Sequence, residues 1–360
     1  MGGLRTDYLS PTLYLLDVVW LGWWVSKFKV QSSKFKFEKL WWVGLVVINV
    51  VVASNKWVAI YRWLRWWQWW ETIKFIKLEK SKVKGYLRWI IPIWIGLESL
   101  LGLAQVYRGA SLQGIFYWLG ERRFWLGTPG IALMSWGGRE VLRAYGTFSH
   151  PNSLAGFLLV AGMLINNEKL RINNKLVEWV VRWLWVVGIV LTGSRTGWLV
   201  LVVVGLWCLK KRAGWLAVGL VGILVGGAML WVNQNYGLRD YFGGWDRESG
   251  SKRWNLSLTA GAMFGDNPLL GVGMGNFVVR LPDYQTGRRS YQPVHNIFLL
   301  WMVETGIVGL ILGLGYLGRS GRLRKLGIVG LIILVTGMVD HYWLTLPQNM
   351  WLLAVVVGLW

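Results

Sequence analysis

The residues best suited to chemistry in this chain sit where apolar runs begin or end. His295 and Asn296 close a polar stretch that holds Arg288 and Arg289, and the apolar run 297–310 starts at once. An imidazole titrates near neutral pH, so at a membrane surface it is suited to take a proton from a hydroxyl. The structural alternative is that His295 caps the helix or bonds a backbone carbonyl. Ser194, Arg195 and Thr196, between Gly193 and Gly197, offer donors to an anion at a break between two apolar runs. A guanidinium presents paired N–H groups that match phosphate oxygens, the alternative being an arginine that snorkels to lipid headgroups. Arg247 and Arg253 precede the apolar segment Trp254 to Phe264, which reads as a helix. Near that helix's N-terminus Arg253 would add to free N–H groups and a dipole that favour anions. The alternative is a solvated loop charge.

Other chemistries are disfavoured by spacing. The only histidines are His150, His295 and His341, each at the end of an apolar run, and Cys208 is the only cysteine. Helical His pairs and H-E-x-x-H spacing are missing, so neither a metal site nor a cofactor is expected, and one cysteine forms no internal disulfide. Gly271, Gly273 and Gly275 superficially look like a dinucleotide fingerprint. They lack a preceding βαβ strand and a matching helix start, so a tight turn at a membrane edge is expected instead.

The elements that must carry these residues are transmembrane helices. Over 360 residues, 54% are hydrophobic and only 16% charged, well below the roughly 25% charged of soluble domains. The mean hydropathy is +0.42. A formal net charge of +22 would point to nucleic acid in a soluble chain. Here the basic residues lie between apolar runs, with no basic soluble module, so anionic membrane lipid is the expected partner and nucleic acid is not. The 29 Trp mostly flank those runs, as interfacial belts do. No signal peptide is expected, because the run 13–25 continues into Lys-rich sequence without a cleavage site.

About eleven spans (10–12) are predicted: 8–25, 40–53, 57–70, 87–106, 152–165, 177–191, 196–209, 214–232, 295–315, 326–339 and 344–360. This is an all-α, polytopic helical bundle forming a single membrane domain over 1–360. Residues 233–294 form a long, partly helical external loop within it. The positive-inside rule puts the N-terminus outside and the C-terminus inside. Residues 108–147 lack a clean span and are expected to lie partly along the external surface. The internal clusters are mostly Lys, such as Lys27 to Lys39 and Lys74 to Lys84, whereas the external segments favour Arg. External Arg opposes the topogenic bias, which marks it as functional.

Several stretches together resemble one family. Gly146-Thr-Phe-Ser-His-Pro-Asn-Ser-Leu-Ala-Gly-Phe157 is similar to the G-x-F-x-H-P-N-x-L-A-G-F signature of the O-antigen ligase and polymerase superfamily. The Thr192 to Leu199 turn resembles its Arg-x-x-x-Leu motif. The Arg253-Trp254 segment, the Asp266 to Gly273 neighbourhood and His295-Asn-Ile-Phe-Leu299 follow in the family's order. The resemblance spans about Gly146 to Leu310, and the N-terminal third carries no matching motif. It implies a metal-independent membrane glycosyltransferase with about twelve spans in the bacterial inner membrane. Its active site would face the periplasm and its donor would be a glycan on undecaprenyl pyrophosphate. By position, His295 would be the base that deprotonates the acceptor hydroxyl, and Arg195 and Arg253 would bind the pyrophosphate. Arg247, Asn296, Arg288 and His150 are possible supporting residues.

A glycolipid acceptor such as lipid A-core, hence a ligase, is expected because the external loop lacks an acceptor-docking module. Polymerisation onto a growing glycan and transfer to protein Ser/Thr are the alternatives. A lipid-linked sugar transporter or flippase would want polar residues along mid-membrane helix faces or repeated halves with broken helices. The apolar runs hold few acids, chiefly Glu98, Glu304 and Asp340.

Overall fold

The structure, a computed structural model, describes residues 17, 18, 20–22, 24, 40–136, 139–166, 170, 172–207, 209–210, 247–285, 291–319 and 322–360. It is mostly helical, and it divides into two compact units. The first comprises Met1–Glu71 and Lys252–Gly321, the second Thr72–Ser251 and Arg322–Trp360.

The predicted spans that fall on described residues are mostly helical, but the helix predicted from 295 begins at Ile297 and the span 344–360 is broken at Leu346, which is extended. The helices are α1 (Leu40–Val52), α2 (Lys56–Leu78), α3 (Lys80–Arg108), α4 (Ile115–Trp118), α5 (Pro151–Ile165) and α6 (Lys175–Leu191). They continue as α7 (Arg195–Trp207), α8 (Arg247–Asp266), α9 (Phe277–Tyr284), α10 (Ile297–Arg319), α11 (Arg322–Val339), α12 (Tyr342–Thr345) and α13 (Pro347–Leu359). By length and apolarity, Lys80–Arg108 and Ile297–Gly315 can cross a membrane, and several apolar helices are shorter. The predicted span 214–232 and most of 8–25 lie outside the described residues.

The segment 108–147 departs from an all-α reading. Besides α4 it holds an antiparallel hairpin, β1 (Leu133–Trp136) paired with β2 (Arg139–Leu142). Glu121, one of the charges that break this segment in the sequence, is buried and accepts from Leu112 N at 2.8 Å and from Gln113 N at 2.5 Å. A buried carboxylate that gathers backbone donors folds a loop as a hydrophobic side chain cannot.

In the second unit α5 is the central helix, and its residues from Ser153 to Ile165 are buried. It packs on α3, α6, α11 and α13. Small residues set the approach: a Cβ on Gly162 would collide with the Trp185 indole of α6, whose Nε1 donates to Leu158 O at 2.7 Å. Gly188 of α6 likewise makes room for Ser99 of α3.

The first unit is built on a core of Leu256, Ala260 and Met263 from α8, Phe277, Val278 and Leu281 from α9, and Val294, Leu300 and Val303 around α10. The residues 267–276 turn tightly before α9, and Gly271, Gly273 and Gly275 all have positive φ. This is the turn expected from the sequence, and its backbone meets a break in α10. Gly306 leaves the helical region at φ 69°, ψ −174°, and Ile307 N and Val308 N donate to Pro268 O and Leu269 O instead of to their own helix. In return Val272 N and Gly273 N donate to Val303 O and Glu304 O. Unpaired backbone groups in an apolar surrounding are costly, so the turn and the break satisfy each other.

Candidate active site

His295 is held from both sides. Val294 before it is fully buried in the core of the first unit, and Asn296 after it caps α10. The Asn296 Oδ1 accepts from Phe298 N at 2.9 Å and Leu299 N at 3.0 Å. The capping role considered for His295 therefore belongs to Asn296, which leaves the half-buried imidazole outside the helix it precedes.

Arg253 sits in the same unit, on α8, where it is half-buried. One turn later Leu256 enters the core cluster that also contains Val294, so Arg253 and His295 flank one packed core. The helix does not begin where the sequence suggested. It starts at Arg247, so Arg253 is two turns inside and gains nothing from the N-terminal N–H groups. The polar residues Glu248, Ser249 and Ser251 disguise a helical turn as loop. Arg247 opens the helix, and Arg288 lies outside the described residues.

Arg195 belongs to the second unit and is exposed. The sequence Leu191-Thr-Gly-Ser-Arg gives a tight helix-to-helix turn. Helix α6 stops at Leu191, Gly193 takes φ 58°, and Ser194 caps α7 with its Oγ accepting from Gly197 N at 3.2 Å. Arg195 is thus the first residue of α7, where the helix dipole adds to its own positive charge.

The Gly146–Phe157 stretch proves to be a gripped segment. Gly146 has φ 58°, and a Cβ there would strike the Glu98 carboxylate. Glu98 accepts from Thr147 N at 2.8 Å and Thr147 Oγ1 at 2.6 Å, while Gln105, seven residues along α3, accepts from Tyr145 N and Gly146 N and donates to Gly146 O. His150 spends its Nδ1 on capping α5, accepting from Asn152 N at 3.1 Å. Pro151 follows at the first helical position, where a missing N–H is harmless. Asn152 joins two charges: its Oδ1 accepts from Arg143 Nη2 at 2.7 Å and its Nδ2 donates to Asp340 Oδ2 at 3.1 Å. Burial pushes the neighbouring Tyr145 phenol above its ordinary pKa, against the pull of the Ala132 N–H and the Arg122 and Arg143 charges.

The structure thus places His295 and Arg253 in one unit and Arg195 in the other. Sequence reasoning passed over Arg143 and Gln105 and counted Glu98 and Asp340 only as acids in apolar runs. The available signal was a charged or amide side chain inside, or at the edge of, an apolar run.

Residues 180–314 match the family model described as O-Antigen ligase. The matched range contains Arg195, Arg253 and His295 and stops short of the Gly146–Phe157 stretch. No curated protein matches the chain.

Proposed function

We propose that the chain is a membrane glycosyltransferase of the O-antigen ligase superfamily, which its match over residues 180–314 supports, and that it moves a glycan from undecaprenyl pyrophosphate to a glycolipid acceptor. The observation that carries this reading is the match over residues 180–314, which takes in an imidazole and two guanidiniums at helix entries or on a helix face. His295 takes the proton from the acceptor hydroxyl as its oxygen attacks the anomeric carbon. The bond from that carbon to the pyrophosphate oxygen breaks, and Arg195 and Arg253 hold the charge that gathers on the leaving group. Preorganised cations at a developing anion lower the barrier more than they stabilise the ground state. The reaction faces the external side of a bacterial inner membrane, where the substrate lipid is anchored.

The test is to incubate the purified protein with a polyprenyl-pyrophosphate glycan and candidate acceptors and to identify the product. Glycan on a lipid A-core acceptor supports the ligase reading. Elongated glycan on the carrier makes the chain a polymerase, and glycosylated Ser or Thr makes it a protein glycosyltransferase. Lys in place of Arg195 or Arg253 keeps the charge and loses the planar fork, so both variants are expected to lower kcat/KM. Wild-type behaviour in both would end the case for bidentate pyrophosphate recognition.

A further inference from the structure

We infer that Arg143 and Asn152 are positioning residues for Arg195, setting the turn from which it reaches the donor pyrophosphate. This rests on the proposed pyrophosphate role of Arg195. The Arg143 Nε donates to Thr192 O at 2.5 Å, and Ala144 N donates to Leu191 O at 2.9 Å. Two successive residues after β2 therefore seize the last carbonyls of α6 and the first of the turn. A cation is favoured at this end of a helix, where carbonyls lack intrahelical partners. Gly193 makes the approach possible, since a Cβ there would stand 3.1 Å from Arg143 Nε and 3.0 Å from Met134 Sδ.

A second nitrogen of the same guanidinium is fixed from α5. Its Nη2 donates to Asn152 Oδ1, and Asn152 Nδ2 donates to Asp340 Oδ2. Asp340 also accepts from His341 N at 2.8 Å, and His341 Nδ1 lies 2.8 Å from Thr345 Oγ1. A planar fork held through two of its nitrogens has little freedom, so the carbonyl it grips is fixed too. The line runs from Asp340 through Asn152 and Arg143 to Thr192, three residues before Arg195. Thus the H-P-N stretch, which lies outside the matched family range, is tied by hydrogen bonds to the arginine turn within it.

A rival account makes Arg143 only a cap for α6, and a double-mutant cycle separates the two. The full-length protein in nanodiscs is titrated with undecaprenyl pyrophosphate. Arg143→Met and Arg195→Lys are each expected to weaken binding about tenfold, on the scale of one lost charge-assisted contact. Combined, they should weaken it little further, because a displaced Arg195 has already lost its contact. Arg143→Met with Arg253→Lys should multiply. Arg143→Lys, which still reaches one acceptor, should fall between wild type and Arg143→Met. Independent effects of Arg143 and Arg195, with Arg195→Lys itself weakened, would overturn the positioning role and leave the pyrophosphate reading standing. Unchanged binding in both Arg195→Lys and Arg195→Ala would overturn that reading and the inference with it. Where Arg143→Met fails to give monodisperse protein, Asn152→Leu runs the same cycle, since it frees one nitrogen of the fork and leaves the bond to Thr192.

Discussion

Each unit contains a knot in which polar side chains on apolar helices hold a glycine-bearing segment, and the two knots end differently. In the first unit Asn49 of α1 donates to Leu270 O and Glu304 O and accepts from Trp63 Nε1 and Met274 N. Asn276 exchanges bonds with Asn55 N and O, and Glu304 Oε1 accepts from Phe277 N. All of these bonds but the one from Trp63 Nε1 serve backbone groups, in the 267–276 turn, in the broken α10 or at Asn55 and Phe277 beside them. The second-unit knot begins in the same way, with Glu98 and Gln105 on Tyr145 to Thr147, but continues through Asn152 into Arg143 and the Arg195 turn. The first knot supports an irregular backbone, whereas the second also carries orientation to Arg195, the residue proposed to meet the donor. Substitutions in the first should therefore read out as stability, and those at the end of the second as binding.

The largest separation is expected at His295, which sits beside the first knot's helix. His295→Ala should lower glycan transfer by about 10²- to 10⁴-fold, the range of a general base, while protein yield and carrier binding stay near wild type. Near-normal turnover in that variant would remove His295 from the chemistry.

Next comes a pair of kinks. Gly306 in α10 occupies a backbone region open essentially to glycine, and a Cβ there would collide with the Leu269 backbone. Gly327 in α11 also has positive φ, but no described atom lies within 4 Å of where its Cβ would stand. Gly327→Ala thus meets backbone strain alone, about 1–3 kcal/mol, and should still yield folded protein. Gly306→Ala adds a backbone collision and should fail to give monodisperse protein after detergent extraction. Equal behaviour of the two would mean that the turn does not depend on the break it pairs with.

These kinks also show where the sequence stopped being legible. Helix positions followed from apolar runs, because in lipid an apolar run has few options but a helix. The tight turn was legible from Gly271, Gly273 and Gly275. The break at Gly306 was not, because a glycine in an apolar helix commonly marks close packing rather than a change of hydrogen-bond partner. Glu98, Glu304 and Asp340 were read only as too few acids for a transporter. Glu98 and Glu304 instead accept a backbone N–H from another segment, and Asp340 accepts from Asn152 Nδ2, roles that depend on a partner far away in the chain. For the candidate site, His295, Arg195 and Arg253 stand out in the sequence by residue type and place, but the helix boundary at Arg253 was not legible. Arg143 was hidden because its partners, Thr192 O 49 residues later and the Asn152 side chain, are brought to it only by the fold.

A smaller effect is expected at Asn49. Asn49→Leu keeps the volume but takes the acceptor from Trp63 Nε1 and Met274 N, at about 1–3 kcal/mol for each group left unsatisfied. Thermal unfolding in detergent should shift down, with donor binding by the surviving folded protein unchanged. A loss of binding without a loss of stability would mean that the first knot, like the second, orients the site.

The smallest effect is at Asn296, where support and chemistry lie one residue apart. Its side chain accepts two N–H groups at the start of α10, so Asn296→Ala should destabilise by about 1 kcal/mol. Asp and Ser also cap well, so Asn296→Asp and Asn296→Ser should restore both stability and turnover if the residue only fixes the helix entry that carries His295. Should the two variants regain stability while transfer stays depressed, Asn296 touches the acceptor or the donor itself. The boundary between scaffold and site would then run before Asn296 rather than after it.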